Sequence, residues 1–410
     1  METVLHHEAN SSKLITRPFV SVTFTAFVFF FYIGIVLVTV PRFIEDELGA
    51  GEFGVGLTVA TFAAAAIVVR PFLGRLIERF GRRAIMMTGA LVAAASGALL
   101  GLSTTLWHVL VLRSFMGLGE AAVFVGAATL IADLAPPHRR AEAASYFSVA
   151  VYGGIGLGPT IGEWILADDR YALTFVVASG FSALAAITVL GVPRRVDRSS
   201  TPVPTDTKPP LLHRAAFWPG VVLASGIAAF SVFAAFIPEY ARTVGLAGSA
   251  GLFLVYSAVS LVLRLVGARL PERLGEHRMV TIALGSLAGG LALISLVVEP
   301  WALWVGAGVI GVGMAFLYPS LMANVVNRVD DGERASALST FTMFFELGSV
   351  VGGVVLGAVG EIFDKRAGFF GGAVIAVIGL VALWQTVVDS SNRSGVEELS
   401  AGEPVSLCHQ

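Results

Sequence analysis

Runs of about 20 residues without a charged side chain recur along the whole chain, and that is the length a helix needs to cross the hydrocarbon core of a bilayer. The clearest fall at residues 19–40, 84–111, 171–192, 215–238, 279–298, 301–327 and 367–388. Runs with one or two polar breaks fill the gaps, at residues 54–69, from 111 on to 134, and at 143–166, 246–263 and 335–359, so twelve spans are predicted. Membrane-barrel strands need only about 10 alternating residues. These runs are continuous and rich in Leu, Ala, Val and Gly, so the spans read as helices. Composition agrees: 56% of the 410 residues are hydrophobic, against about 45–50% in a soluble domain. The expected fold is an all-α membrane protein.

Residues 1–18 are polar, and no small-x-small cleavage pattern ends the run that follows, which therefore reads as a retained first helix rather than a signal peptide. The one cysteine, Cys408, leaves no intrachain disulfide and no thiolate metal cluster, and the seven histidines are scattered, so no metal and no cofactor are expected. The stretch GLGEAA at residues 117–122 matches a dinucleotide fingerprint formally, but that motif needs a preceding strand and here lies in a predicted membrane helix. No P-loop, HExxH or nucleophile elbow occurs, so neither an ATP-powered pump nor an enzyme is expected. The expected partners are a small-molecule solute and lipid, not nucleic acid, and the chain is expected to act as a monomer. With the N-terminus inside, 21 of the 27 Lys and Arg residues fall on inner segments, Arg70 and Arg264 counted among them. The positive-inside rule thus predicts a cell-membrane protein with both termini cytoplasmic.

Sliding the chain against itself by 194 residues aligns Arg70, Arg75, Leu76, Glu78, Arg79 and Gly81 with Arg264, Arg269, Leu270, Glu272, Arg273 and Gly275. The same offset pairs Trp107 with Trp301, Arg140 with Arg334, Phe147 with Phe341, and Gly154 and Gly158 with Gly348 and Gly352. Six spans per copy is an even number, so both copies enter the membrane with one orientation. The prediction is two six-helix bundles, residues 1–192 and 215–390, related by a pseudo-twofold axis along the membrane normal, with solute bound between them. Residues 193–214, rich in Pro, Ser, Thr and charge, read as a cytoplasmic linker, and residues 391–410 as a polar cytoplasmic tail without fixed structure.

Residues 74–83, GRLIERFGRR, resemble the loop motif G-x-x-x-D-R-x-G-R-R of the major facilitator superfamily, with Glu78 where that family usually has Asp. Arg113, Gly117, Gly119 and Glu120 resemble its fourth-helix motif. Gly154, Gly158, Pro159 and Gly162 resemble its fifth-helix G-x-x-x-G-P-x-x-G motif, with Glu163 in place of the final Gly. The resemblance covers essentially the whole chain, and the fifth-helix motif is associated with exporters that work as antiporters. It implies a cytoplasmic gate at Gly74, Glu78, Arg79, Gly81, Arg82 and Arg83, with Glu78 and Arg79 as the latch and Gly74 allowing close helix approach. It also implies a packing hinge at Gly154, Gly158, Pro159 and Gly162. The second copy carries Ala268, Glu276 and His277 at the positions of Gly74, Arg82 and Arg83, which reads as a degenerate gate.

A charge inside the bilayer costs about 2.5–3.5 kcal/mol even on lenient scales. Arg113 and Glu120 lie seven residues apart in one predicted helix and so share a face. Glu346 falls near the middle of the eleventh. Glu120 and Glu346 are therefore candidate proton carriers, and Arg113 is either a substrate-anion contact or the partner that tunes them. Tyr32 on the first helix and Asn324 on the tenth, with Tyr318 and Pro319 beside it, are candidate cavity residues, and the aromatic, charge-poor lining favours a lipophilic solute over a sugar. The expectation is a secondary active transporter that exports a small lipophilic or amphipathic solute in exchange for protons. Proton symport or facilitated uptake of a sugar or organic acid stands as the alternative, and a non-transporting receptor on the same scaffold as a third.

Overall fold

The computed structural model describes residues 14–166, 170–192, 212–246, 249–352, 359 and 362–401. Most of the expected linker and Cys408 lie outside these. The first long helices are α1 (Arg17–Asp46), α2 (Gly51–Phe80), α3 (Arg82–Leu100), α4 (Leu106–Leu134), α5 (Arg140–Leu166) and α6 (Tyr171–Thr188). After the linker come α7 (Arg214–Thr243), α8 (Ala250–Val266), α9 (Glu276–Leu296), α10 (Pro300–Asn327), α11 (Arg334–Val350) and α12 (Lys365–Ala401), with a one-turn helix, Leu270–Leu274, between α8 and α9. Nine of the described helices are long and apolar enough to cross a membrane. Helix α12 runs on to Ala401, so the expected tail begins as helix.

With no water in hydrocarbon to satisfy backbone N–H and C=O groups, a spanning segment closes its hydrogen bonds within itself as a helix. Hydroxyls follow the same rule: Thr39, Thr129 and Ser148 each donate to the carbonyl four residues back, at 2.8, 2.7 and 2.7 Å. Helix starts carry their own signals. Thr16 caps α1 by accepting from the Phe19 amide, and Thr105 caps α4 by accepting from His108.

Packing partners in the first copy recur in the second. Helix α1 packs on α5 and α6, α3 on α4 and α6, and α2 on α4; correspondingly α7 packs on α11 and α12, α9 on α10 and α12, and α8 on α10. The halves meet where α2 and α4 face α11 and where α5 faces α8 and α10. Backbone detail repeats too. Gly81 and Gly275, 194 residues apart, both adopt positive φ, 86° and 89°, a region open to glycine and strained for other residues.

The seam between α1 and α5 depends on glycine. A Cβ on Gly158 would stand 2.5 Å from the Phe31 carbonyl oxygen, and one on Gly154 2.6 Å from that of Phe27. Gly162 follows one turn on, beside Ile35 and Val38, with Pro159 inside the helix. The hinge glycines thus form a within-half contact of the small-residue type that lets membrane helices approach closely.

Candidate functional site: a buried charge triad between the halves

Helix α2 does not stop at the end of its uncharged run. It continues to Phe80, which places Arg70 ten residues from its end, about 15 Å at 1.5 Å per residue. Arg70 is 2% exposed, and its Nη2 reaches Glu120 Oε2 on α4 at 3.3 Å and Glu346 Oε1 on α11 at 3.0 Å. Two carboxylates, one from each half, share one guanidinium. The Phe124 ring lies under the same group, 5.6 Å from ring centre to Cζ, a geometry that favours a cation over a π face.

The triad lines a cavity of about 170 Å³, whose other walls are Phe30 and Ile33 of α1, Phe62 of α2, Phe147 and Tyr152 of α5, Tyr318 of α10 and Phe345 of α11. Small-molecule pockets usually run to about 300–1,000 Å³, so a cavity of this volume admits a few waters or a small group. A larger solute requires the halves to separate.

Arg113 does not complete the triad. It is 8% exposed, and its guanidinium sits 4.6 Å from the centre of the ring of Phe62, a residue that lines the cavity where Arg113 does not. The face it shares with Glu120 is real, but α2 packs over both positions, setting the Phe62 ring against Arg113 and the Arg70 guanidinium against Glu120. Tyr32 is fully buried and donates to the Ala93 carbonyl at 2.8 Å, and Asn324 donates to Glu276 at 2.9 Å. Neither lines this cavity, whereas Tyr318 does. Arg70 and Arg264, expected on inner segments, are instead buried inside helices, at 2% and 4% exposure.

A second set of contacts joins the halves at the arginine-rich helix ends. Asp133, at the end of α4, accepts from Arg82 at 2.6 Å and from Arg334 at 3.1 Å. At the 194-residue offset these positions become Asn327, Glu276 and Arg140, and they too interact: Asn327 donates to Glu276 at 2.7 Å and accepts from Arg140 at 2.5 Å. Glu276, read from the sequence as part of a degenerate gate, thus joins this network with its carboxylate moved from the centre to the side. Arg79 is exposed and stacks on the neighbouring Phe80 ring at 5.1 Å, while Arg83 donates to the Val192 carbonyl at 3.4 Å. Glu78 is exposed as well. Gly74 lies against the other half: a Cβ there would stand 2.6 Å from Ser336 Cα.

Glu142 adds a third bridge. It accepts from Arg139 at 2.6 Å and, across the halves, from Arg269 at 3.1 Å, while its backbone amide donates to Glu272 at 2.8 Å. Burial pushes the Glu142 carboxyl up, but the hydrogen bonds from Arg139 and Arg269 outweigh it and hold it below the ordinary carboxylate range. A lowered folded-state value means that the bridge contributes fully above the ordinary carboxylate pKa of about 4.3 and is lost only as pH falls through the lowered value. The Glu142 bridge is accordingly expected to be insensitive to pH between about 6 and 8. Glu142→Gln weakens it at every pH in that window, by about 1 kcal/mol because Arg269 is well exposed. The check is the maleimide-labelling rate of Ala268→Cys, in the groove beside Glu142, with Cys408 replaced by Ser. A several-fold faster rate in Glu142→Gln, by a ratio to the Ala268→Cys parent that stays constant with pH while both rates rise with the thiolate fraction, is the expected result.

A bundle of apolar helices in two similarly packed sets, with a charged cluster buried between them and ion pairs closing one end, defines a polytopic membrane protein built to move a solute between its halves. The family model described as Major Facilitator Superfamily matches residues 22–304 and 252–407, and the chain belongs to that superfamily of secondary transporters. An uncharacterised MFS-type transporter of Pseudomonas aeruginosa is 29% identical over 392 residues, covering 93% of this chain and 96% of the relative. A second, from Burkholderia mallei, is 26% identical over 377 residues, covering 89% and 91%. Among solved structures, the human organic anion transporter MFSD10 superposes with a TM-score of 0.76 at 17% identity, covering 90% of this chain and 99% of that one. The Escherichia coli fucose:proton symporter FucP gives 0.74 at 14%, covering 90% and 98%. At these identities the structures share the fold.

Proposed function

We propose that the chain is a proton-coupled exporter of a small lipophilic or amphipathic solute, working by alternating access. Two six-helix halves, residues 1–192 and 215–390, rock about a pseudo-twofold axis along the membrane normal, with residues 193–214 as the linker. The observation that carries this reading is the triad: Arg70 faces Glu120 from its own half and Glu346 from the other. One guanidinium serves two carboxylates, so a proton taken up or released at either one changes what it holds together. A proton on Glu346 removes the charge-assisted bond across the halves and frees them to separate; loss of that proton restores it. Each proton that returns down the gradient supplies about 2.3 kcal/mol per 100 mV to the cycle, and no cofactor takes part.

The arginine-rich end is assigned to the cytoplasm, both termini with it, in the cell membrane, and the protein works as a monomer. Closure there, by Gly74, Arg82, Asp133 and Arg334, leaves the triad to be loaded from outside. Gly81 turns the loop, Arg79 lies on the Phe80 ring and Arg83 holds the Val192 carbonyl. Export follows from the resemblance of Gly154, Gly158, Pro159 and Gly162 to antiporter sequences. Uptake by proton symport is the second reading, favoured by the fucose:proton symporter that shares the fold.

The test uses inside-out vesicles acidified by respiration, a lumenal pH dye, and a panel of lipophilic cations, antibiotics, sugars and organic acids. A compound that collapses the gradient with the natural chain and not with Glu120→Gln or Glu346→Gln is expected, and the variant that fails identifies the proton carrier. Accumulation of a sugar or acid in right-side-out vesicles, with no gradient collapse, overturns export.

A further inference from the structure

The 194-residue offset carries each member of the triad to a partner position in the other copy. Arg70 becomes Arg264, Glu120 becomes Met314, and Glu346 becomes Tyr152. The contacts move with them. Arg264 Nη2 donates to the Met314 backbone carbonyl at 2.7 Å, and its guanidinium lies 4.5 Å from the centre of the Tyr152 ring. The cluster is thus built twice, once with two carboxylates and once with none.

Arg264 is 4% exposed, and its Nε and Nη1 have no hydrogen-bond partner among the described residues. An uncompensated guanidinium inside a membrane helix is costly. A carbonyl and a π face answer part of its charge, and two donors stay unmade. Arg70 also has unmade donors, on Nε and Nη1, but two carboxylates already face it and repel a further anion. At Arg264 the local charge is positive. A planar fork of N–H donors matches a carboxylate bidentately. Tyr152, whose ring Arg264 faces, is 37% exposed and forms part of the cavity wall.

We propose that Arg264 is the anion subsite of this transporter: the carboxylate of an amphipathic solute displaces the Tyr152 ring and takes the place at Arg264 that Glu346 holds at Arg70, its apolar body lying against Phe30, Ile33 and Phe147. This rests on the reading that solute crosses through the cavity between the halves. It assigns the anion contact to Arg264 rather than Arg113, which stacks on Phe62 and does not line the cavity.

The experiment is equilibrium binding of radiolabelled octanoate to the purified chain, which reads the subsite without proton movement and so fails or succeeds independently of the vesicle assay. Octyltrimethylammonium and octanol serve as competitors. Octanoate is expected to bind and to resist both competitors at equal concentration. Arg264→Gln is expected to weaken binding at least tenfold, Arg264→Lys to restore part of it, and Arg113→Gln to leave it unchanged. A second measurement uses the natural chain: octanoate slows phenylglyoxal modification of Arg264, read by mass spectrometry, so the proposal stays testable if Arg264→Gln does not fold. Preference for the cation, binding lost in Arg113→Gln and kept in Arg264→Gln, or no protection of Arg264 overturns it.

Discussion

Replacing Arg70 by methionine is expected to abolish transport and to cost about 3–5 kcal/mol of stability, the usual penalty for removing one partner of a buried ionic group. Two carboxylates from opposite halves then face each other in the cavity with no cation between them. The informative variant is the triple one, Arg70→Met with Glu120→Gln and Glu346→Gln. A buried ionic cluster exchanged for neutral side chains of similar size is often neutral or stabilising, so its melting point should return to near that of the natural chain while transport stays absent. Thermal melting in detergent and transport in proteoliposomes read the two quantities separately. Near-normal transport by Arg70→Met would falsify the role assigned to the triad.

Gly74→Val should act on the cycle rather than on folding. The added side chain meets the backbone of Ser336, with Ser336 Cα 2.6 Å and its N 2.9 Å from the Cβ position, and backbone cannot swing aside as a flexible side chain can. The clash exists only when the halves are closed at the arginine-rich end, so opening there relieves it. A bias of about 1–3 kcal/mol changes the closed-to-open ratio by roughly 5–150-fold. Ala335, 1% exposed and packed among Ala66, Leu73 and Ala121 of the other half, reports that change once it is made Cys in a Cys408→Ser chain. Its maleimide labelling should accelerate strongly in Gly74→Val, with the melting point little altered. Gly158→Val is the contrast: its clash with Phe31 and Gly34 lies within one half, where no rocking motion relieves it, so the melting point should fall.

Much of this was legible in the sequence because a membrane restricts the options so severely. An uncharged run of the right length has one use, and Glu120 and Glu346 stood out because a carboxylate inside such a run has no surface to reach. Arg70 was assigned to a loop for the opposite reason. Its run ends at Val69 and charged residues follow, so nothing local says that the helix continues to Phe80. The signal that could have found it was the repeat, which couples Arg70 to Arg264 at positions where each helix still has hydrophobic neighbours. The pairing of Arg113 with Glu120 followed helix geometry correctly and missed a tertiary fact, that Phe62 covers one and Arg70 meets the other. Tyr32 and Asn324 were read as cavity residues because they are polar, yet each is satisfied where it stands, by Ala93 and by Glu276.

The inverted latch has an electrical consequence. Arg82 and Arg334 meet Asp133 and Asp331, and Arg140 and Glu276 meet through Asn327, so this latch holds three cations and three acids. Parting it moves no net charge through the field across the membrane, and the potential exerts no pull on that end of the molecule. The membrane voltage can then act on the cycle at the cavity, where one guanidinium faces two acids, making the centre the electrically driven part and the rim a passive clasp.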